Sequence, residues 1–298
     1  MSRGTGQSAT AGAKLVDGFP LVPVTQFLTT TLPCLYLALA GMCAGAFLST
    51  RGIRMVRTRR VLVTLALLLH AWLLFSRWQD ADGMPEFGGW HSLSPLALVV
   101  VAMFAALGQR ERGGLGTSAV VYSIVFVLQW ASASFGDPLA RGEEVRQTMF
   151  YFYLVHVASI LVASAALILS GIHGLLYLLL YRTMRQRKFG RLFDGLPSLS
   201  ELARQMRRAA AIAFVWLLIG VNGGIWWAHT SNVTGFNYRD PLVLILIALM
   251  AHFGVVAASG SIPGITARRA SWAATLGLFA LAISLGFSLL PHGFHAAP

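Results

Sequence analysis

The chain has 298 residues, of which 56% are hydrophobic and only 11% are charged. Because a soluble domain carries roughly 25% charged residues, this composition excludes an ordinary soluble protein and indicates a membrane protein. The net charge of +12 would suggest nucleic acid as the partner of a soluble protein. In a membrane protein, basic residues instead flank the spanning helices, so we expect a lipid bilayer and no nucleic acid.

The chain divides into a short tail and one membrane domain. Residues 1–20 are rich in glycine, serine, alanine and threonine, a composition typical of a disordered tail. Residues 21–298 form the predicted integral membrane domain, and we expect the apolar stretch 19–31, which Pro20 and Pro23 interrupt, to lie at the membrane interface. A bilayer core is crossed by about 20 helical residues. The apolar runs therefore predict an all-α fold, a polytopic membrane helix bundle with about eight transmembrane helices, at 31–49, 61–77, 93–108, 115–135, 149–181, 209–229, 241–260 and 271–290.

The fifth apolar run is the longest, and the other spans are placed relative to it. It continues from Met149 to Arg182, which corresponds to roughly 50 Å of helix. It carries His156 near its start and His173 near its end. A histidine inside an apolar span is costly and by default requires a partner or a ligand.

Basic residues predict the orientation of the spans. Most lysines and arginines fall in four alternate segments, 51–60, 110–112, 182–208 and 268–269, whereas most acidic residues fall in the other loops. Since basic loops stay in the cytoplasm, both termini are predicted to be extracytoplasmic. The third of these segments also contains an amphipathic stretch beginning at Ser198 and Glu201, which form a capping-box pattern. We expect a short surface helix there, leading into span six, and a docking surface for a soluble partner at 182–208.

Two sets of histidines follow from this topology. His156, His91, His229, His292 and His295 lie toward the outer face, and His70 and His252 lie midway along spans two and seven. Two imidazoles that face each other can ligate a haem iron, and zinc also accepts imidazole. A helix-to-helix hydrogen bond is the competing interpretation for each buried histidine. The spans contain no interior aspartate or glutamate, which disfavours a proton pump or a cation transporter.

Several motifs follow one another in a defined order along spans two to eight. They are Leu67-Leu-Leu-His70-Ala, Leu154-Val-His156-Val, Leu196-Pro-Ser-Leu-Ser-Glu201-Leu followed by Gly220 and Gly224, Arg268-Arg-Ala-Ser-Trp272 and Gly293-Phe-His295. This order of motifs resembles the cytochrome c assembly membrane family of the CcsA and HemX types. The Gly220–Gly224 spacing is also one that lets membrane helices approach closely.

The resemblance implies a haem-binding site at the outer face. His156 and His295 would be the axial ligands of the iron of haem b, with Trp226, Trp227 and Asp240 near the edge of the macrocycle. His70 and His252 would form a second haem site. Apocytochrome c and other cytochrome c assembly proteins would be partners, in the bacterial inner (cell) membrane, and any enzymatic role would be at most part of a haem-attachment (haem lyase) system.

The tryptophan-rich segment departs from the family pattern. Only Trp226-Trp227 and Asp240-Pro241 remain of a motif that has several tryptophans and ends in Trp-Asp-Pro-Lys-Glu. This favours the HemX-like branch and keeps two alternatives open. One is a non-catalytic regulator or assembly factor of haem biosynthesis, and the other is a membrane cytochrome with bis-histidine haem.

Overall fold

The computed structural model describes residues 21–49, 55–80, 89–107, 114–136, 150–187, 190, 193, 195–230 and 237–289. Within these ranges the secondary structure is helical and no strand occurs. The helices are α1 (Leu21–Leu48), α2 (Met55–Asp80), α3 (Leu93–Ala106, preceded by a short 3-10 helix at Gly89–Ser92), α4 (Gly114–Phe135), α5 (Phe150–Arg185), α6 (Leu199–Thr230), α7 (Pro241–Ala258) and α8 (Ala267–Leu289). In these ranges, eight helical segments are long and apolar enough to cross a membrane, which confirms the predicted eight-span, all-α fold. The predicted tail, 1–20, lies outside the described residues.

Helix α5 is the central helix of the bundle. It contains 36 residues, equivalent to about 54 Å, and every residue from 163 to 174 is buried. A helix that is apolar around its whole circumference is stable only when other helices cover it, and α3, α6 and α8 do so here. The long fifth span is therefore confirmed, although it ends at Arg185 rather than at 181.

Helices α5 and α6 are antiparallel neighbours along most of their length. Ser170 Oγ donates a hydrogen bond of 3.0 Å to the Met206 carbonyl. Nearer the beginning of α5, His156 is hydrogen-bonded to the Gly220 carbonyl. Residue numbers thus fall on α5 as they rise on α6, and this register sets which part of α6 faces each histidine of α5.

Helices α5 and α8 approach closely because α5 carries glycines at the contact. A Cβ atom at Gly171 would lie 2.4 Å from Leu278 Cβ, and one at Gly174 would lie 2.9 Å from the Ser271 carbonyl oxygen. Small residues allow membrane helices to pack at such short range. The contact fixes α8 against the central helix.

The segment predicted as a separate surface helix is instead the first part of α6, which continues without a break into the span. The predicted cap is present, because Ser198 Oγ accepts a hydrogen bond of 3.3 Å from the Glu201 backbone N–H. Leu202 and Met206 are fully buried. The prediction of a surface helix was wrong because the buried middle of α5, where Ser170 contacts Met206, gives this amphipathic stretch a protein face to pack against.

Helices α1 to α4 form the other half of the bundle. Helix α1 packs on α2 and α4, and α3 links this group to α5. Helix α1 begins at Leu21, with Pro23 in its first turn, where a missing N–H has no intrahelical partner to lose. The segment 21–31, predicted to lie at the interface, is therefore the beginning of the first helix.

Candidate functional site

The ring of His156 is oriented by the backbone of α6. Its Nδ1 lies 2.6 Å from the Gly220 carbonyl oxygen. A carbonyl can only accept, so Nδ1 carries the proton and donates it, and Nε2 keeps its lone pair. The structure offers no hydrogen-bond partner to Nε2 within the ranges that it describes. A histidine that donates one ring N–H to a carbonyl and leaves the other nitrogen free has the arrangement of a metal ligand.

Gly224 leaves the space that the His156 ring occupies. A Cβ atom at Gly224 would lie 2.6 Å from both Cε1 and Nδ1 of His156, whereas one at Gly223 would approach only to 4.0 Å. The Gly220–Gly224 spacing predicts close helix packing, but not that an imidazole lies in the gap. These two glycines are the site residues that sequence reasoning did not assign, and their spacing was the available signal.

Trp227 lies on α6, at the same α5–α6 contact as His156. Its ring centroid lies 5.6 Å from that of Tyr153, which precedes His156 by about one turn of α5. The indole Nε1 of Trp227 and the Oγ of Ser159 are buried and lack a hydrogen-bond partner among the described residues. Buried donors are seldom left unpaired, so the part of the α5–α6 contact near the beginning of α5 has unused capacity to bind polar groups.

Trp226 points elsewhere. Together with Asn222, Ile225, His229 and Thr230 it lines an open groove of about 380 Å³, and its side chain is 61% exposed. Successive residues of a helix are about 100° apart around its axis. The residues that line the groove therefore lie on the side of α6 opposite Gly220 and Gly224, which contact His156. The structure therefore brings Trp227, but not Trp226, to the α5–α6 contact near His156.

Asp240 and His229 each form a hydrogen bond where α7 begins and where α6 ends. Asp240 caps α7 by accepting a hydrogen bond of 2.8 Å from the Leu242 N–H, and Pro241 occupies the first turn. His229 Nε2 is hydrogen-bonded to the Tyr238 hydroxyl. The Asp-Pro pair thus has a defined structural role at the beginning of α7.

His70 lies in a fully buried hydrogen-bond network of the first three helices. Its Nδ1 is 3.0 Å from the Tyr36 hydroxyl, and its Nε2 is 3.1 Å from Ser94 Oγ. Because both ring nitrogens have partners, an iron could bind this histidine only by displacing one of them. Further along α2, Arg77 Nη2 donates a hydrogen bond of 2.9 Å to Thr29 Oγ1.

His252 lies at the contact of α7 and α8. Its Nε2 donates a hydrogen bond of 2.8 Å to the Ala273 carbonyl, which leaves Nδ1 as the nitrogen with a lone pair. The partners of His252 and those of His70 belong to different helices. Within the described ranges, no residue is hydrogen-bonded to both rings.

His295 lies outside the described residues. Across the ranges that the structure covers, no group of three or more histidine, cysteine, aspartate or glutamate residues could hold a metal ion. Among the described histidines, His156 and His252 each donate one ring N–H to a backbone carbonyl of another helix and keep a lone pair on the other ring nitrogen, which is the arrangement of a metal ligand.

One comparison with known proteins identifies the family. No curated protein and no solved structure matches the chain. The model of the family described as cytochrome C assembly protein matches residues 28–295, a range that runs from the first turns of α1 to beyond the end of α8 and includes every histidine discussed above. This multi-pass membrane protein therefore belongs to the cytochrome C assembly protein family.

Proposed function

We propose that this protein binds haem b and holds or presents it at the outer membrane face during cytochrome c maturation. His156 and His295 are the proposed axial ligands. The observation that carries the proposal is the hydrogen bond of 2.6 Å from His156 Nδ1 to the Gly220 carbonyl. It fixes the tautomer and the ring orientation, and it leaves Nε2 as the nitrogen available to iron.

The remaining site residues would provide the surroundings of the haem. Trp227 and Tyr153 offer aromatic surface next to His156, and Trp226 and Asp240 are expected at the edge, on the far side of α6 and at the beginning of α7. Haem supplies vinyl groups that can be joined to the thiols of apocytochrome c. Two nitrogen ligands would leave the iron without an open position, so this chain would hold and orient haem rather than activate oxygen.

A second haem between His70 and His252 belongs to the same proposal. To bind iron, His70 would have to release Ser94 or Tyr36, whereas His252 could bind through Nδ1 and keep its hydrogen bond to the Ala273 carbonyl. The proposed setting is the bacterial inner membrane with both termini extracytoplasmic, and the partners are apocytochrome c and other cytochrome c assembly proteins.

A HemX-like regulator or assembly factor of haem biosynthesis is the second candidate function. Two observations favour it: the reduced tryptophan motif, and the arginines that follow α5 and begin α6. In this case the segment 182–208 would dock a soluble partner, and haem would not be an obligatory ligand.

The test is the absorption spectrum of the reduced, detergent-purified protein from haem-replete cells. We expect a bis-histidine haem spectrum from which His156→Ala removes the contribution of the His156–His295 haem, whereas His229→Ala, the matched control at the end of α6, leaves the spectrum unchanged. Absence of haem from the wild-type protein would contradict the proposal and leave the regulator. Haem retained in the wild type, with normal levels of c-type cytochromes after gene deletion, would instead indicate a membrane cytochrome.

A further inference from the structure

Arg268, at the beginning of α8, is held in place by aromatic rings of α5. Its Cζ lies 5.4 Å from the centroid of the Tyr181 ring. Tyr181 in turn stacks on Tyr177, with centroids 6.3 Å apart and ring planes inclined by 9°. The two tyrosines are one helical turn apart on α5, so they form a fixed platform, and a cation over such a ring is attracted to its face.

The charge of Arg268 is not neutralised by the residues that the structure describes. The one ion pair among them is Arg204 with Glu201, on α6. Arg268 has no hydrogen-bond acceptor in the same ranges, and Arg182 and Arg185 add positive charge at the end of α5. The guanidinium is therefore positioned by cation–π contact while its five N–H donors remain available to an anion.

An apolar stripe follows Arg268 along the exposed side of α8. Trp272, Leu276 and Phe279 succeed it at helical spacing, and their side chains are 52%, 59% and 62% exposed. No other helix covers these side chains in the described bundle. A fixed cation at the end of a helix, continued by an exposed apolar stripe, complements a molecule with an anionic head and hydrocarbon chains.

We propose that the surface of α8 next to Tyr181 binds one anionic phospholipid, with its phosphate on Arg268 and an acyl chain along Trp272, Leu276 and Phe279. The lipid comes from the leaflet on the arginine-rich side, where anionic headgroups attract basic segments. The site would fix the inner end of α8 against the central helix. It does not depend on whether the protein binds haem.

The test counts lipid adducts on the detergent-purified protein by native mass spectrometry, with phosphatidylglycerol or phosphatidylcholine added. Loss of one basic residue near an anionic surface weakens binding by about fivefold in general. We expect R268Q to weaken phosphatidylglycerol binding by at least about tenfold. R269Q is the matched control, because the Arg269 guanidinium instead donates a hydrogen bond of 2.9 Å to the Gly264 carbonyl. R269Q should weaken phosphatidylglycerol binding by no more than about fivefold.

A second pair of variants tests whether lipid binding depends on the cation–π contact between Arg268 and Tyr181 or on positive charge alone. Tyr181→Phe keeps the ring and should retain lipid binding, whereas Tyr181→Leu keeps every charge and should lose it several-fold. Equal losses in R268Q and R269Q, or no difference between the two Tyr181 variants, would overturn the proposal. Equal binding of phosphatidylcholine, or no lipid adduct at all, would also overturn it and leave the arginines to a soluble acidic partner.

Discussion

At the scale of single residues, the most informative contact joins His156 to the backbone of α6. The imidazole occupies a gap that exists because position 224 has no Cβ, and the gap is lined on one side by the Gly220 carbonyl, which accepts the hydrogen bond from Nδ1–H. The orientation of the ring is therefore set by two glycines, Gly220 through its carbonyl and Gly224 through the absence of a Cβ.

Gly224→Ala tests this orientation directly. The added methyl would lie 2.6 Å from the ring, so the imidazole must move, and overpacking of this kind costs about 1–3 kcal/mol. We expect haem affinity to fall about 5- to 100-fold, measured by haem titration of the purified apoprotein. Gly223→Ala, whose Cβ would lie 4.0 Å from His156, should titrate like the wild type. A Gly224→Ala protein with unchanged affinity would show that the contact does not position the ligand.

His70 allows the structural and ligating interpretations of a buried histidine to be compared. Tyr36→Phe removes one hydrogen bond to the ring while keeping the aromatic volume, and we expect it to lower the free energy of unfolding by about 1 kcal/mol. His70→Ala removes both bonds and leaves a cavity, for which we expect a loss of about 3 kcal/mol. Thermal unfolding in detergent measures both losses. If the double variant loses as much as the sum of the two single variants, Tyr36 and His70 are not coupled.

At the scale of helices, close packing on α5 depends on residues without side chains. Gly171→Ala would place a methyl 2.4 Å from Leu278 Cβ and force α8 away from the central helix. We expect a loss of about 1–3 kcal/mol in stability, measured by thermal unfolding in detergent. Gly45→Ala on α1, where nothing lies within 4 Å, is the control and should cost nothing. Equal melting temperatures for the two variants would contradict the tight α5–α8 contact.

The helices themselves could be predicted more fully than their mutual rotation. Apolar length is a local property, so α5 and α8 were found with nearly their observed bounds. The side of α6 that faces α5 depends on tertiary packing, and for that reason Trp226 and Trp227 were placed together although only Trp227 meets Tyr153. The partners of His70 are 34 and 24 residues away in the chain, and no local pattern marks them.

At the scale of the whole molecule, the arginine distribution predicts the orientation of the bundle in the membrane. In a background with Cys34 and Cys43 replaced by alanine, Asn237→Cys should react with a membrane-impermeant maleimide in intact cells, because the α6–α7 segment faces outward. Ser200→Cys, at the beginning of α6, should react only after permeabilisation. Both positions are exposed enough to be labelled. The reverse pattern would place both termini in the cytoplasm.

The burial of the middle of α5, residues 163–174, on all sides has a consequence for how the protein is made. Its middle carries Ser164, Ser170 and His173, which in the finished bundle are shielded by neighbouring helices. During synthesis α5 enters the bilayer before α6 and α8 exist. Its polar side chains are therefore first exposed to hydrocarbon, which offers no hydrogen-bond partner. The second half of the chain must then assemble around a helix already in place, and a nascent chain that stops before α8 would leave its centre open to lipid.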